Sequence, residues 1–271
     1  VRDWLLLTPL RLSGARVIAH VHGAEFEEFY FQEPGLKWLK KRQLGQIDCL
    51  LFIHEALQPD CSQIADQSAV LRNPIPVLTE PLVSISPPPF DRLRMGFISS
   101  FVPGKGLEDF LALSDHFGVR GIYPIAGGVH PNFRDYGSKM LDQIECRPVL
   151  SYLGHLNAPS VFYRQTDVVI FPTSYVSEAL PGVVLEALSF GCLPVVRRSN
   201  MLPQVFADAP ILWFSTQDEL IEAVETLTAQ NAEMLRAESE TRRCWVYANF
   251  PTEQEWITCL EQQLLGWEKS Q

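Results

Sequence analysis

SEALPGVVLEALSFGCLPVV, residues Ser177–Val196, decides how the rest of the chain is read. Two carboxylates, Glu178 and Glu186, stand eight positions apart in it. Between them Pro181 and Gly182 punctuate the chain where a helix should begin, and an apolar run with helical spacing follows. A helix N-terminus presents unpaired N–H groups and a partial positive charge, so Pro181, Gly182 and Val183 mark a seat for phosphate. Glu186 falls roughly one turn into the helix, within reach of sugar or ribose hydroxyls. Glu178 falls in the loop just before it, facing the same crevice. Phosphate donors flanked by two hydroxyl acceptors describe a site for a nucleotide-sugar.

Outward from this stretch, strands and helices alternate. Strands are expected at Arg94–Ile98, Arg120–Ile125, Val149–Tyr152, Val168–Phe171, Leu193–Val196 and Ile211–Phe214. Helices are expected between them at Gly106–His116, Tyr136–Ile144, Ala158–Arg164, Val183–Phe190, Leu202–Ala207 and Gln217–Thr228. That alternation is the pattern of a doubly wound α/β layer. The stretch Pro74–Pro89 is proline-rich and reads as a stiff extended linker.

Before the linker, Arg2–Leu12, Leu36–Leu44 and Leu57–Ala65 read as helices, and Val17–Val21, Cys49–Ile53 and Ala69–Leu71 as strands. These β–α units are too few for a whole Rossmann-like domain. The domain reading is therefore a partial N-terminal domain over 1–77, a linker over 78–89, a complete nucleotide-binding domain over 90–250, and a C-terminal helix over 251–271. That last helix either returns to the N-domain or packs on the second domain, with Trp245, Phe250, Trp256 and Trp267 as the tail's apolar anchors.

Composition narrows the partners. The chain has 271 residues, 46% hydrophobic and 20% charged, ordinary for a soluble globular protein. Its formal net charge of −10 argues against nucleic acid. Six cysteines lack C-x-x-C spacing and read as reduced thiols of a reducing compartment. No apolar run long enough to span a membrane and no signal-peptide pattern is visible, so a cytoplasmic location is expected. One basic cluster, Lys37-Trp38-Leu39-Lys40-Lys41-Arg42, is either a solvated helix face or a peripheral contact with an anionic membrane at its inner surface.

Further residues carry candidate chemistry. Lys105, between Gly104 and Gly106, opens a helix after a strand and a turn, where an ammonium pairs with phosphate oxygens. Thr173 and Ser174 end a strand before the Glu loop, where their hydroxyls either touch the donor or brace the loop. His22 follows a buried strand, with His20 two positions earlier. No His/Cys/Asp cluster has metal-ligand spacing and no Asp-x-Asp element appears, so neither metal nor cofactor is expected. No G-x-G-x-x-G follows a strand, which disfavours a dinucleotide oxidoreductase.

FPTSYVSEALPGVVLEALSFGCLPVV (Phe171–Val196) resembles the Glu-x7-Glu signature of family 4 glycosyltransferases, retaining enzymes of GT-B fold. VIAHVHGAEFEEFY (Val17–Tyr30), RNPIPV (Arg72–Val77), GFISSFVPGKGLEDFLAL (Gly96–Leu113) and SYLGHL (Ser151–Leu156) resemble other segments of that family, in order. The resemblance implies a complete C-terminal Rossmann-like domain with a partial N-terminal one. It also implies transfer of a sugar from a UDP- or GDP-sugar to a glycan or lipid-linked acceptor, with retention, in cell-surface polysaccharide assembly. His22 would lie near the reacting sugar, Glu178 on the sugar, Glu186 on the ribose, Lys105 on the diphosphate, and Gly154 beside the base.

Two departures stand out. Ser100 occupies the position of a family arginine, and Arg198–Gln204 lacks a Gly-Gly-x-Pro-Glu turn. A nucleotide-sugar-binding fragment or partner subunit without turnover is the alternative.

Overall fold

The computed structural model describes residues 9–10, 12–26, 28, 42, 44–59, 67–75, 92–199, 201–229 and 232–268. The linker over 78–89 and Lys37–Lys41 lie outside them, as do most of the helix expected at Arg2–Leu12 and the greater part of that expected at Leu57–Ala65.

Among the described residues, three parallel strands form the N-terminal part: β1 (Ile18–Val21), β2 (Cys49–Phe52) and β3 (Gln67–Val70), in the order β1-β2-β3. Ile18 pairs with Cys49, and Cys49 with Gln67. All four residues of β2 are buried, as expected of a central parallel strand covered on both faces. The helix expected to open at Leu57 does not open there. Glu55–Leu57 forms a single 3₁₀ turn, and Gln58 is extended at φ −87°, ψ 104°. Pro59 explains this, because a residue preceding proline is driven out of the helical region.

The C-terminal part is a six-stranded parallel sheet. Its strands are β4 (Leu93–Ile98), β5 (Gly121–Ala126), β6 (Leu150–Tyr152), β7 (Val168–Phe171), β8 (Leu193–Arg197) and β9 (Leu212–Phe214). They lie in the order β6-β5-β4-β7-β8-β9. Nine helices complete this part among the described residues. They are α1 (Leu107–Phe117), α2 (Arg134–Glu145), α3 (Ser160–Tyr163), α4 (Gly182–Ser189), α5 (Leu202–Val205), α6 (Gln217–Ala229), α7 (Ala232–Ala237), α8 (Ser239–Asn249) and α9 (Glu253–Glu268).

Side-chain alternation places the core. Val168 and Ile170 of β7 pack with Met95, Phe97, Phe110, Leu113 and Val224 on one face of the sheet. Val169 turns to the other face and meets Phe162, Tyr163, Ala187 and Cys192. Both faces are thus covered by helices, which a parallel sheet requires.

The chain's last helices tie the two parts together. Arg72, just after β3, donates to the Asn249 carbonyl at 2.6 Å and to Glu55 Oε2 at 2.8 Å. Ile75 forms a parallel bridge with Thr252. Trp256 and Leu260 of α9 then lie on Cys49, Leu51 and Leu71 of the N-terminal sheet.

Candidate functional site

The strand order dictates where a ligand can sit. β4 and β7 are neighbours, with Met95 opposite Val168, but the chain leaves them toward opposite halves of the sheet. At such a switch point the loops beyond the strands' carboxyl ends diverge and leave a crevice. One lip is the loop Ser99–Gly106 after β4. The other is Pro172–Pro181 after β7, which carries Glu178.

The two lips are fastened to each other. The Ser174 N–H donates to the Gly104 carbonyl at 2.8 Å, and the Thr173 hydroxyl donates to the same oxygen at 3.3 Å. Thr173 Oγ1 also accepts from the Tyr175 N–H at 3.2 Å. The Thr173 side chain is wholly buried, so its hydroxyl braces the loops from beneath. Gly106 has φ 80°, and a Cβ there would approach the Pro172 carbonyl oxygen to 2.4 Å, so that turn accepts only glycine. Arg197, at the end of β8, clamps the arrangement from behind. It donates to the Pro172 carbonyl at 3.1 Å, to the Ser215 carbonyl at 2.8 Å and to Asp109 Oδ2 at 2.8 Å.

Across these lips Lys105 and Glu178 form an ion pair. The Lys105 ammonium also stands 4.8 Å from the centre of the Tyr175 ring. Sequence reasoning assigned the two charges separately, one to diphosphate and one to sugar, and the structure joins them. Both side chains are mostly shielded, at 22% and 15% exposed, so the pair is less screened by solvent than a surface pair.

Helix α4 begins at Gly182 beside this pair. Pro181, its extended N-cap, offers no side-chain hydrogen bond, and the first turn carries no acidic residue. The helix start therefore keeps its positive end free of a capping side chain and of a neutralising acid. Glu186, one turn in, accepts a 2.7 Å hydrogen bond on Oε2 from the Tyr163 hydroxyl. Burial raises the Glu186 pKa, and the Tyr163 hydrogen bond opposes that only in part.

The raised pKa fixes a sign. A carboxyl whose folded-state pKa is raised stabilises the fold below its unfolded pKa and loses that contribution as pH rises through the folded value. Above its folded pKa the ionised Glu186 is thus a destabilising group. Glu186→Gln is expected to raise the melting temperature at pH 7. The gain should shrink as pH falls through the raised folded value and be gone by about 4.5, where the unfolded carboxyl protonates as well. Melting curves of both proteins from pH 4 to 8 would check this, and a pH-independent difference would refute it.

The remaining candidates frame the crevice. His22 is exposed just beyond β1, with its ring 4.3 Å from His20 in an edge-on arrangement. His20 is held by the Leu71 carbonyl at 3.2 Å, and burial first, then His22, lowers its pKa. Three residues on, Glu25 Oε2 accepts a hydrogen bond from the Ser177 hydroxyl. Ala24 packs on the cluster holding Ala179, Leu180 and Val184. The His-Gly loop is thereby set against the Glu178 loop.

Ser100 is exposed on the opposite lip. Gly154, at φ 70°, accepts from the Gly127 N–H at 2.8 Å and has open space beside its α-carbon. Tyr163, Tyr175 and Arg197 were not foreseen as parts of this site. Their roles come from tertiary contacts that leave no spacing signal. Among the described residues, no group of three His, Cys, Asp or Glu side chains is placed to hold a metal ion. Likewise, no described helix is long and apolar enough to cross a membrane.

The family profile described as glycosyl transferases group 1 matches residues 85–244. The chain belongs to this family. Its fold is the GT-B type, and solved structures agree. Sucrose-phosphate synthase from Thermosynechococcus elongatus superposes with a TM-score of 0.73 at 17% identity, over 97% of this chain and 71% of that one. HepE of Anabaena, solved with UDP and glucose, gives 0.76 at 14%, over 99% and 75%. A glycosyltransferase from Rickettsia africae gives 0.67 at 12%, over 97% and 80%. No curated protein matches the chain by sequence. The group 1 profile spans both lips of the crevice, Lys105 and the Glu178–Glu186 block included.

Proposed function

We propose that this chain transfers a sugar from a UDP- or GDP-sugar to a glycan or lipid-linked acceptor, with retention, in cell-surface polysaccharide assembly. The observation that carries the reading is the Lys105–Glu178 ion pair across the switch-point crevice, a few residues before the helix start toward which Glu186 Oε1 lies. In this reading Lys105 and the N–H groups of Gly182 and Val183 hold the diphosphate. Their positive charge offsets the negative charge that grows on the departing nucleotide.

Glu186 accepts from the ribose, and Glu178 and His22 take sugar hydroxyls, with Ser100 and Gly154 completing the donor side, while Thr173, buried beneath the loops, braces them and touches no donor. The acceptor hydroxyl attacks from the face the nucleotide leaves, which preserves configuration. Neither metal nor other cofactor takes part. The enzyme would work in the cytoplasm, and the basic cluster Lys37–Arg42 would let it rest on the inner face of the membrane.

Calorimetric titration with UDP, GDP, ADP and their sugar conjugates tests the reading. One nucleotide is expected to bind saturably. Glu186→Ala should weaken it by roughly 10-fold, the worth of a lost hydrogen bond to a charged group. A folded protein that binds none of them would refute the reading. Serine at position 100, in place of an arginine, favours a second one: a nucleotide-sugar-binding partner subunit. Donor binding without release of free nucleotide, in the presence of acceptors, would favour that alternative.

A further inference from the structure

Tyr163 closes α3, and its hydroxyl reaches Glu186 of α4. Its ring is 2% exposed, stacked on Phe190 at 5.1 Å and 14°, and set edge-on to Phe162 at 5.2 Å and 79°. Its backbone is fixed too, because its carbonyl accepts from the Cys192 thiol at 3.4 Å. The phenol's single proton goes to Glu186 Oε2 at 2.7 Å, since its other contact, the Val183 carbonyl, is long at 3.5 Å. Burial and the neighbouring carboxylate push the Tyr163 pKa well up, so the hydroxyl remains a donor at any working pH.

The other carboxylate oxygen is left for a ligand. Glu186 Oε1 lies toward the helix start, 3.9 Å from where a side chain on Gly182 would begin. Among the described residues no other side chain hydrogen-bonds this carboxylate. The terminal torsion of a glutamate is broad, so an unheld carboxylate samples many orientations. With Oε2 occupied by a rigid donor, Oε1 points one way.

We infer that Tyr163 is a positioning residue, which fixes the Glu186 carboxylate so that its free oxygen recognises the ribose hydroxyls of the donor nucleotide. The inference rests on the proposed assignment of Glu186 to the ribose. It adds a specificity for ribonucleotide over deoxyribonucleotide that depends on a residue touching neither. Ordering a side chain at the moment of binding weakens affinity, and Tyr163 removes that penalty in advance.

The test is calorimetry with UDP and 2′-deoxy-UDP, and in parallel GDP and 2′-deoxy-GDP, on the wild type, Tyr163→Phe and Glu186→Ala. The wild type is expected to prefer the ribonucleotide, and Glu186→Ala to bind the pair nearly equally. Tyr163→Phe keeps the stacked ring. It should weaken the ribonucleotide by roughly three- to tenfold while leaving the deoxyribonucleotide unchanged.

A merely structural role would weaken both nucleotides alike and leave their ratio intact, and that result overturns the inference. A wild type that binds nucleotide but does not discriminate overturns the ribose assignment itself. Should Tyr163→Phe fail to fold, Phe190→Leu loosens the stack while keeping the hydroxyl. It is expected to lower the same ratio, and an unchanged ratio there counts against Tyr163.

Discussion

Gly127→Ala is expected to destabilise the C-terminal α/β unit by roughly 2–6 kcal/mol, the sum of an overpacking cost of about 1–3 kcal/mol and backbone strain of about 1–3 kcal/mol. Gly127 has φ 132°, a region that residues with side chains rarely enter. A Cβ there would come within 1.8 Å of the Ser99 carbonyl oxygen, a backbone atom that has no rotamer with which to escape.

The collision falls where β4 and β5 are laced beyond their ends. Ser99 donates to the Ala126 carbonyl at 3.2 Å, Phe101 to Gly128 at 2.8 Å, and Gly127 to Gly154 at 2.8 Å. Relieving it would move the β4 lip that carries Ser100 and Lys105. Urea unfolding followed by circular dichroism should show a midpoint lower by at least about 1 M. An unchanged midpoint would show that the lacing is dispensable.

The second large effect concerns affinity. Lys105→Ala is expected to weaken binding of UDP or GDP by roughly 100-fold, the upper range for a charge-assisted hydrogen bond. Two losses add. On the proposed reading the ammonium no longer meets the diphosphate, and Glu178, stripped of its partner, faces the incoming anion unpaired. The neighbouring Glu178→Gln should act in the opposite direction on the free nucleotide. It releases Lys105 from its ion pair and removes a repelling charge, so the nucleotide should bind several-fold more tightly, while sugar transfer falls. Titration of the two variants side by side separates the signs. If both weaken the nucleotide equally, the ion pair is not what the diphosphate displaces.

The architecture was legible from elementary patterns. Val168–Phe171 is a continuous apolar run bounded by turn residues, and the strand occupies those four residues. Pro181-Gly182 marked the start of α4, which begins at Gly182. A glycine-flanked lysine marked the opening of α1 at Leu107.

Other features depend on residues far apart in sequence. Nothing near Lys105 shows that its ammonium will meet Glu178, 73 positions away. Nothing near Glu186 shows that a tyrosine 23 positions earlier will hold it. Local pattern places backbone elements, but side-chain partners follow from how the elements stack. At Leu57 even the local reading missed, because Pro59 drives Gln58 out of the helical region.

The seat of Trp256 and Leu260 on Leu51 and Leu71 has a bearing on birth as well as on form. On the ribosome the N-terminal strands emerge long before the residues that cover them. Each apolar side chain left wet until then forgoes roughly 1.5–3 kcal/mol. The six-stranded sheet contains its own core and can condense first, whereas the three-stranded sheet must wait until α9, some two hundred residues later, has been translated. Folding order therefore runs against synthesis order, and the nascent N-terminal strands are the stretch that a chaperone would have to shield.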